Sequence, residues 1–170
     1  MTIIFEGPDR CGKTEIAAAL AKQLGMKVFK NTNEWEHDIR DTDYFHQHLR
    51  YAATFMADFV NQFSPNVIFD RSYPSEWVYS KFFNRKTDIQ LIEKIDAKYA
   101  NVNTKIIICR RKNYTGIVDD LHSFINEQAL IEIDKLYEEF SKITKCKVIT
   151  IFVDDYNIER QIKEINESLF

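Results

Sequence analysis

Gly7-Pro8-Asp9-Arg10-Cys11-Gly12-Lys13-Thr14 gathers two glycines, a lysine and a hydroxyl residue into one short stretch. The spacing is G-x-x-x-x-G-K-[ST] without a mismatch. The chemistry it suits is the holding of phosphate. Successive backbone N–H groups wrap an anion, the head of the following helix adds a favourable dipole, and the glycines let the chain come close. Lys13 would bridge the outer phosphates, and Thr14 would set its hydroxyl on a magnesium ion. An apolar run at 3–5 precedes the loop and a helical pattern at 13–24 follows it. A nucleoside triphosphate with magnesium is therefore expected here, built on Gly7, Asp9, Cys11, Gly12, Lys13 and Thr14. The plainer alternative is a chance match that leaves Lys13 solvated. The motif does not by itself separate a kinase from a GTPase or a motor ATPase.

Asp9 and Arg10 stand where many phosphate loops carry small residues. An acid there would repel a triphosphate, so it should face the other way, toward a hydroxyl. A cation there would sit where charge develops on a moving phosphoryl group. A surface ion pair between the two is the alternative. Asp70-Arg71 closes a second apolar run at 66–69, a carboxylate and a guanidinium at the lip where α/β sheets bind ligands. Arg71 can grip a phosphate by its planar fork, and Asp70 can hold the magnesium water shell or accept a proton. A plain ion pair capping the strand remains open.

Cys109-Arg110-Arg111-Lys112-Asn113 follows the run at 105–109. Three cations at that lip suggest a lid over about 110–123 that closes on the triphosphate and excludes water. Arg110, nearest the strand end, is the arginine expected to face inward; a solvated basic turn is the alternative. On the long helical pattern at 42–63, Arg50 and Phe55 lie off the apolar stripe and are candidates to line an acceptor cleft. Phe55 could stack on a base, or pack in a core or a dimer. Asp154-Asp155 could cap the last helix. His46 and His48 are two apart on a helix and point to different sides, while His37 and His122 stand alone, so no metal site is expected from them.

These groups need elements to hold them. Apolar runs at 3–5, 66–69, 105–109 and 147–153, with a weaker one at 27–29, read as strands buried on both faces. Between them lie helical patterns at 13–24, 42–63, 74–83, 87–100 and 124–143, and a last one carries Ile158, Ile162, Ile165 and Leu169. In 42–63 the predicted core stripe is Phe45, Leu49, Ala52, Met56, Phe59 and Phe63. Strands alternating with helices give an α/β fold, a mainly parallel five-stranded sheet with helices on both faces. No linker or repeat interrupts 1–170, so one domain is expected.

The composition bounds the function. Net charge is −3, so the strong basic excess that clamps long nucleic acid is missing and nucleic acid is disfavoured as a partner. The three cysteines are odd in number and lack metal spacing, which favours a reducing compartment over a disulfide framework. No secretory pattern opens the chain, and no apolar run approaches the roughly 18 residues a membrane span needs. A cytoplasmic protein without a membrane partner is expected.

The run Phe5-Glu6-Gly7-Pro8-Asp9-Arg10-Cys11-Gly12-Lys13-Thr14 resembles the N-terminus of thymidylate kinases and their deoxynucleoside-kinase relatives. The run Asp70-Arg71-Ser72-Tyr73-Pro74-Ser75-Glu76-Trp77-Val78-Tyr79 is similar to their second signature. The resemblance implies a P-loop NTPase fold of the nucleoside-monophosphate-kinase type, with ATP and Mg2+. It implies that Asp9 holds the acceptor's 3′-hydroxyl and that Arg10 steadies the transferred phosphoryl. By the same resemblance Arg71 binds the acceptor's α-phosphate and Tyr79 lies against its sugar; as a residue alone, Tyr79 could equally be core. Two features depart from the pattern. Ser72 stands where thymidylate kinases prefer an aromatic, as in the Glu-Arg-Ser of deoxynucleoside kinases. The proline- and glycine-bearing loop after the second strand is replaced by the charged, glycine-free segment 30–40. The chain is also shorter than most family members, which fits a compact phage or viral enzyme.

The activity expected is transfer of the γ-phosphoryl of ATP to a deoxynucleoside 5′-monophosphate, thymidylate or a related pyrimidine. Lys13, Arg10 and Arg110 would steady the moving charge, and Thr14 with Asp70 would hold magnesium. Asp9, Arg50, Phe55, Arg71 and Tyr79 would place the acceptor. The alternatives are a deoxynucleoside kinase using Asp70 as base, a kinase of polynucleotide ends or modified bases, and a nucleotide-binding regulator without catalysis. A second copy of the chain is a further candidate partner.

Overall fold

The computed structural model describes residues 1–30, 40–117 and 125–170. The strands β1 (Thr2–Glu6), β2 (Lys27–Lys30), β3 (Val67–Asp70), β4 (Lys105–Arg110) and β5 (Lys147–Phe152) form one sheet in the order β2-β3-β1-β4-β5. Every pairing is parallel, and Phe5 of β1 lies level with Asp70 of β3 and Ile107 of β4. The inner strands are buried on both faces, as their unbroken runs of Ile and Phe require. The edges are not. All of β2 is exposed, and β5 alternates buried Ile149 and Ile151 with exposed Thr150. An edge strand has one neighbour and less cover, so the expectation of double burial fails at these two.

The chain steps one way across the sheet from β1 to β2 and the other way in every later crossover. Right-handed connections then put the first helix on the face opposite the middle ones. Helix α1 (Lys13–Leu24) packs against α7 (Ile158–Leu169). On the opposite face α3 (Thr54–Phe63) packs on α5 (Ile89–Asn101), and α4 (Tyr73–Phe82) packs on both α5 and α6 (Glu127–Ile143). Gly25 ends α1 in the left-handed conformation, with φ 64° and its N–H on the Ala21 carbonyl.

The predicted single helix over 42–63 is an arm of three pieces. Asp41 caps α2 (Thr42–His48) by accepting the Tyr44 N–H at 3.0 Å. A π-helical turn over Leu49–Ala53 follows, and then α3. The Thr54 hydroxyl donates to the Leu49 carbonyl at 3.0 Å across the widened turn. That turn spends one extra residue, so the inward face slips by one position. Ala53, Ala57 and Val60 join the expected Met56 in packing on the core, while the expected Ala52 and Phe59 are exposed. The slip leaves Tyr51, Phe55 and Phe63 exposed at 68%, 69% and 62%. Among the described residues no helix is long and apolar enough to cross a membrane.

Candidate active site

The C-terminal ends of β1, β3, β4 and β5 lie on one edge of the parallel sheet, and the candidate residues follow them. After β1 the chain turns back over its own strand end. Gly7 permits this with φ 134°: a Cβ there would fall 2.1 Å from the Cys109 carbonyl oxygen of β4. Gly12, with φ 62°, then delivers the chain into α1. Lys13 is buried and donates its Nζ to the Pro8 carbonyl at 2.6 Å, folded over the loop. Burial and the nearby Arg71 lower its pKa, and Asp9 works in the opposite sense. The Thr14 hydroxyl donates to Asp70 Oδ2 at 2.7 Å, joining the loop to the end of β3. A hydroxyl and a carboxylate side by side are the hard oxygen donors magnesium prefers. Among the described residues there is no group of three or more His, Cys, Asp or Glu side chains that could hold a metal ion.

Arg71, the residue after β3, is the centre of a hydrogen-bonded cluster that reaches the loop. It takes a left-handed backbone with φ 69°, and its N–H donates to the Phe5 carbonyl at 2.9 Å. Its guanidinium forms a very short pair with Asp9 of the loop. It also donates to the Gly7 carbonyl at 3.3 Å, Ser75 Oγ at 3.2 Å and Tyr137 Oη at 3.1 Å. Burial opposes its charge, but Tyr79, Asp9, Tyr137 and Glu6 raise its pKa well above the ordinary arginine value. The Tyr79 hydroxyl donates to the other oxygen of Asp9 at 2.9 Å, and the Arg71 guanidinium lies 5.5 Å from the Tyr79 ring centre. Asp9, Arg71 and Tyr79, grouped by the family resemblance, are thus one bonded cluster. Behind it sits Glu6, fully buried. Burial pushes its pKa up, while Arg71 and the bonds from Ser75, Ser72 and Tyr137 pull it down.

At the end of β4 the two arginines part company. Arg110, expected to face the triphosphate, turns onto α6. It grips Asp134 with two bonds of 3.0 and 2.6 Å and reaches Glu138 at 3.1 Å. Arg111 faces the loop, donating twice to the Arg10 carbonyl at 3.0 and 2.8 Å, with its guanidinium 4.5 Å from the Tyr156 ring centre. The Tyr114 hydroxyl donates to Asp134 at 2.9 Å and lies 3.7 Å from the Cys11 sulfur. Burial raises the Cys11 thiol pKa, which makes it an inert part of the loop. Asp154 accepts the Lys112 N–H at 2.9 Å and the Asn113 N–H at 3.2 Å, tying the last strand to the root of the expected lid. Asn157, and neither Asp154 nor Asp155, caps α7. Lid residues 118–123 lie outside the described residues, as do His37 and His122.

Arg50 and Phe55 stand exposed on the arm, outside the hydrogen-bonded cluster around Arg71. From that arm Phe45 instead meets Arg85, whose guanidinium lies 4.0 Å from its ring centre and pairs with Glu76 at 2.7 Å. The sequence reading missed Glu6, Ser75 and Tyr137 as site groups, and it missed the loop-facing role of Arg111. One signal was legible: Glu6 is a charge that directly follows the apolar run Ile3-Ile4-Phe5 of its strand.

A family model described as an AAA domain matches residues 2–158. No curated protein sequence matches the chain. Solved structures resemble it over nearly its whole length. The YorR protein of Bacillus subtilis, in complex with phosphorylated GDP, is 23% identical, with 99% of this chain and 95% of that one covered and a TM-score of 0.71. Deoxyadenosine kinase from M. mycoides, with products dCMP and dCDP bound, is 23% identical, with 99% and 98% covered and a TM-score of 0.63. Thymidylate kinase from Ehrlichia chaffeensis is 18% identical, with 100% and 98% covered and a TM-score of 0.63. The shared architecture is the P-loop NTPase fold that the sequence anticipates.

Proposed function

The chain belongs to the AAA domain family, and from that premise we propose that it moves the γ-phosphoryl group of ATP to the 5′-phosphate of a deoxynucleoside monophosphate, most suitably a pyrimidine such as thymidylate. The observation that carries this reading is the Arg71 guanidinium, anchored on β3 yet bonded across to Asp9 and Gly7 of the phosphate loop. On this reading the loop is the cradle for one phosphate, and the guanidinium that touches it is the fork for another.

The ATP phosphates lie in the backbone N–H groups of the loop and against the head of α1. Lys13, bonded to the Pro8 carbonyl, turns to the outer phosphates, whose negative charge favours the ammonium that burial disfavours. Thr14 and Asp70 would hold a magnesium ion, which when bound would offset the charge of the outer phosphates. Arg71 holds the acceptor phosphate by its fork, Asp9 takes the 3′-hydroxyl, and Tyr79 borders the sugar. An acceptor oxygen attacks the γ-phosphorus, the bond to the ADP oxygen breaks, and Arg10 and Arg111 steady the charge in transit. A phosphate oxygen is already nucleophilic at neutral pH, so positioning supplies most of the rate.

A neutral acceptor, the 5′-hydroxyl of a deoxynucleoside, is the second reading. Ser72 favours it, as does the charge around Arg71, which Asp9 and Glu6 already match. Against it, Asp70, the base such a reaction would need, is engaged by Thr14. ADP release measured over a panel of nucleosides and monophosphates separates the two. Turnover with nucleosides alone overturns the first reading, and turnover with none of them overturns both. The three cysteines are free and buried, which supports a reducing compartment, the cytoplasm, as its place. The exposed aromatic face of Tyr51, Phe55 and Phe63 supports a homodimer.

A further inference from the structure

Glu6 takes no part in the chemistry above, yet it is a fully buried carboxylate directly behind Arg71. Its Oε1 accepts the Ser72 N–H at 2.7 Å, fixing the chain just after the left-handed residue Arg71. Its Oε2 lies 2.7 Å from Ser75 Oγ and 3.0 Å from Tyr137 Oη. Those two hydroxyls are also partners of the Arg71 guanidinium, at 3.2 and 3.1 Å. Each hydroxyl has one proton to give. A guanidinium only donates and a carboxylate only accepts, so both protons must point at Glu6 and both lone pairs at Arg71.

We propose that Glu6 is the positioning residue of the acceptor site: through Ser75, Tyr137 and the Ser72 N–H it sets the direction in which Arg71 presents its fork to the acceptor phosphate. The inference rests on the acceptor reading of Arg71 given above. Glu6 touches neither substrate. Its carboxylate determines how the two hydroxyls are polarised, and it holds the strained turn that aims the side chain. An amide of the same shape cannot do both. With its oxygen toward the Ser72 N–H, its NH2 meets the hydroxyls and turns their protons toward the guanidinium. With its oxygen toward the hydroxyls, its NH2 opposes the Ser72 N–H.

The test is steady-state kinetics on Glu6→Gln, Tyr137→Phe, the double variant and Arg71→Ala, with ATP and the acceptor varied separately. Glu6→Gln is expected to raise the acceptor KM roughly tenfold, as loss of a charge-assisted network should, and to leave the ATP KM within about twofold. Tyr137→Phe should raise the same KM by a smaller factor, and the double variant should be less than the product of the two, since both act through one bond. A purely structural role would lower thermal stability or kcat without this split. An acceptor KM unchanged in Glu6→Gln but raised in Arg71→Ala overturns the role of Glu6 and leaves the proposed function standing. An acceptor KM unchanged in Arg71→Ala removes the function and this inference together. Should Glu6→Gln fail to fold, an unchanged acceptor KM in Tyr137→Phe overturns the inference.

Discussion

Replacing Gly7 with alanine should separate the phosphate loop from the sheet. An added Cβ would lie 2.1 Å from the Cys109 carbonyl oxygen, where real contacts essentially never fall below 3.0 Å, so loop and strand must part by about 1 Å. Neither partner is the pliant tip of a side chain. The backbone angle adds its own penalty: φ 134° costs a non-glycine residue about 1–3 kcal/mol. A sum near 3 kcal/mol lowers the melting temperature of a chain this long by roughly 6–12 °C. Function should suffer more than stability, because the Gly7 carbonyl also receives Arg71 at 3.3 Å. A loop displaced by about 1 Å moves cradle and fork apart, a misplacement worth roughly a hundredfold in rate. Thermal melts with and without ATP, paired with steady-state kinetics, read both effects. Gly25→Ala is the control: its φ is 64° but an added Cβ meets nothing within 4 Å, so only the angular strain of about 1 kcal/mol applies, without a change in kcat. If Gly7→Ala melts within about 1 °C of the parent and binds ATP normally, the reasoning from close approach is refuted.

Lys13→Ala should lower kcat roughly a thousandfold without lowering the melting temperature, because the ammonium it removes is disfavoured by burial and bonded only to the Pro8 carbonyl; a marked loss of stability would show the lysine to be structural. The Asp155 carboxyl is held by the Arg160 side chain and the Asn157 N–H, so it should titrate at about 2 in place of 3.8. With a depressed folded value, its stabilising effect is complete above 3.8 and fades as pH falls through about 2; an NMR titration midpoint near 3.8 would contradict that. Sedimentation should give twice the chain mass at micromolar concentration, reverting to a monomer in Phe63→Glu, whereas a monomeric parent ends the dimer proposal.

What the sequence made legible was contiguous. The loop from Gly7 to Thr14 and the pair Asp70-Arg71 are marked by local spacing, so Lys13, Thr14, Asp9 and Arg71 could be named before any fold was known, whereas Tyr79 was named only through the family resemblance. The parallel sheet was legible because inner strands buried on both faces must be apolar throughout. The rest depended on distance in sequence or on one-residue phase. Tyr137 reaches Glu6 across 131 positions, and no local pattern marks it. Arg110 and Arg111 are adjacent at a strand end, where side chains alternate, so neighbours point to opposite sides and proximity to the strand could not choose between them. The π-turn over Leu49–Ala53 shifted the phase of the arm by one residue and turned Phe59 and Phe63 from expected core to surface.

The central claim is that a phosphoryl group crosses from the loop at Lys13 to an acceptor held by Arg71. It is tested most directly by incubating the protein and magnesium with ATP labelled at the γ-phosphate and thymidylate, then separating the nucleotides. Label is expected in the β-phosphate of thymidine diphosphate, with equimolar unlabelled ADP. Label that stays in ATP, or that appears only as inorganic phosphate across all deoxynucleoside monophosphates, would contradict it.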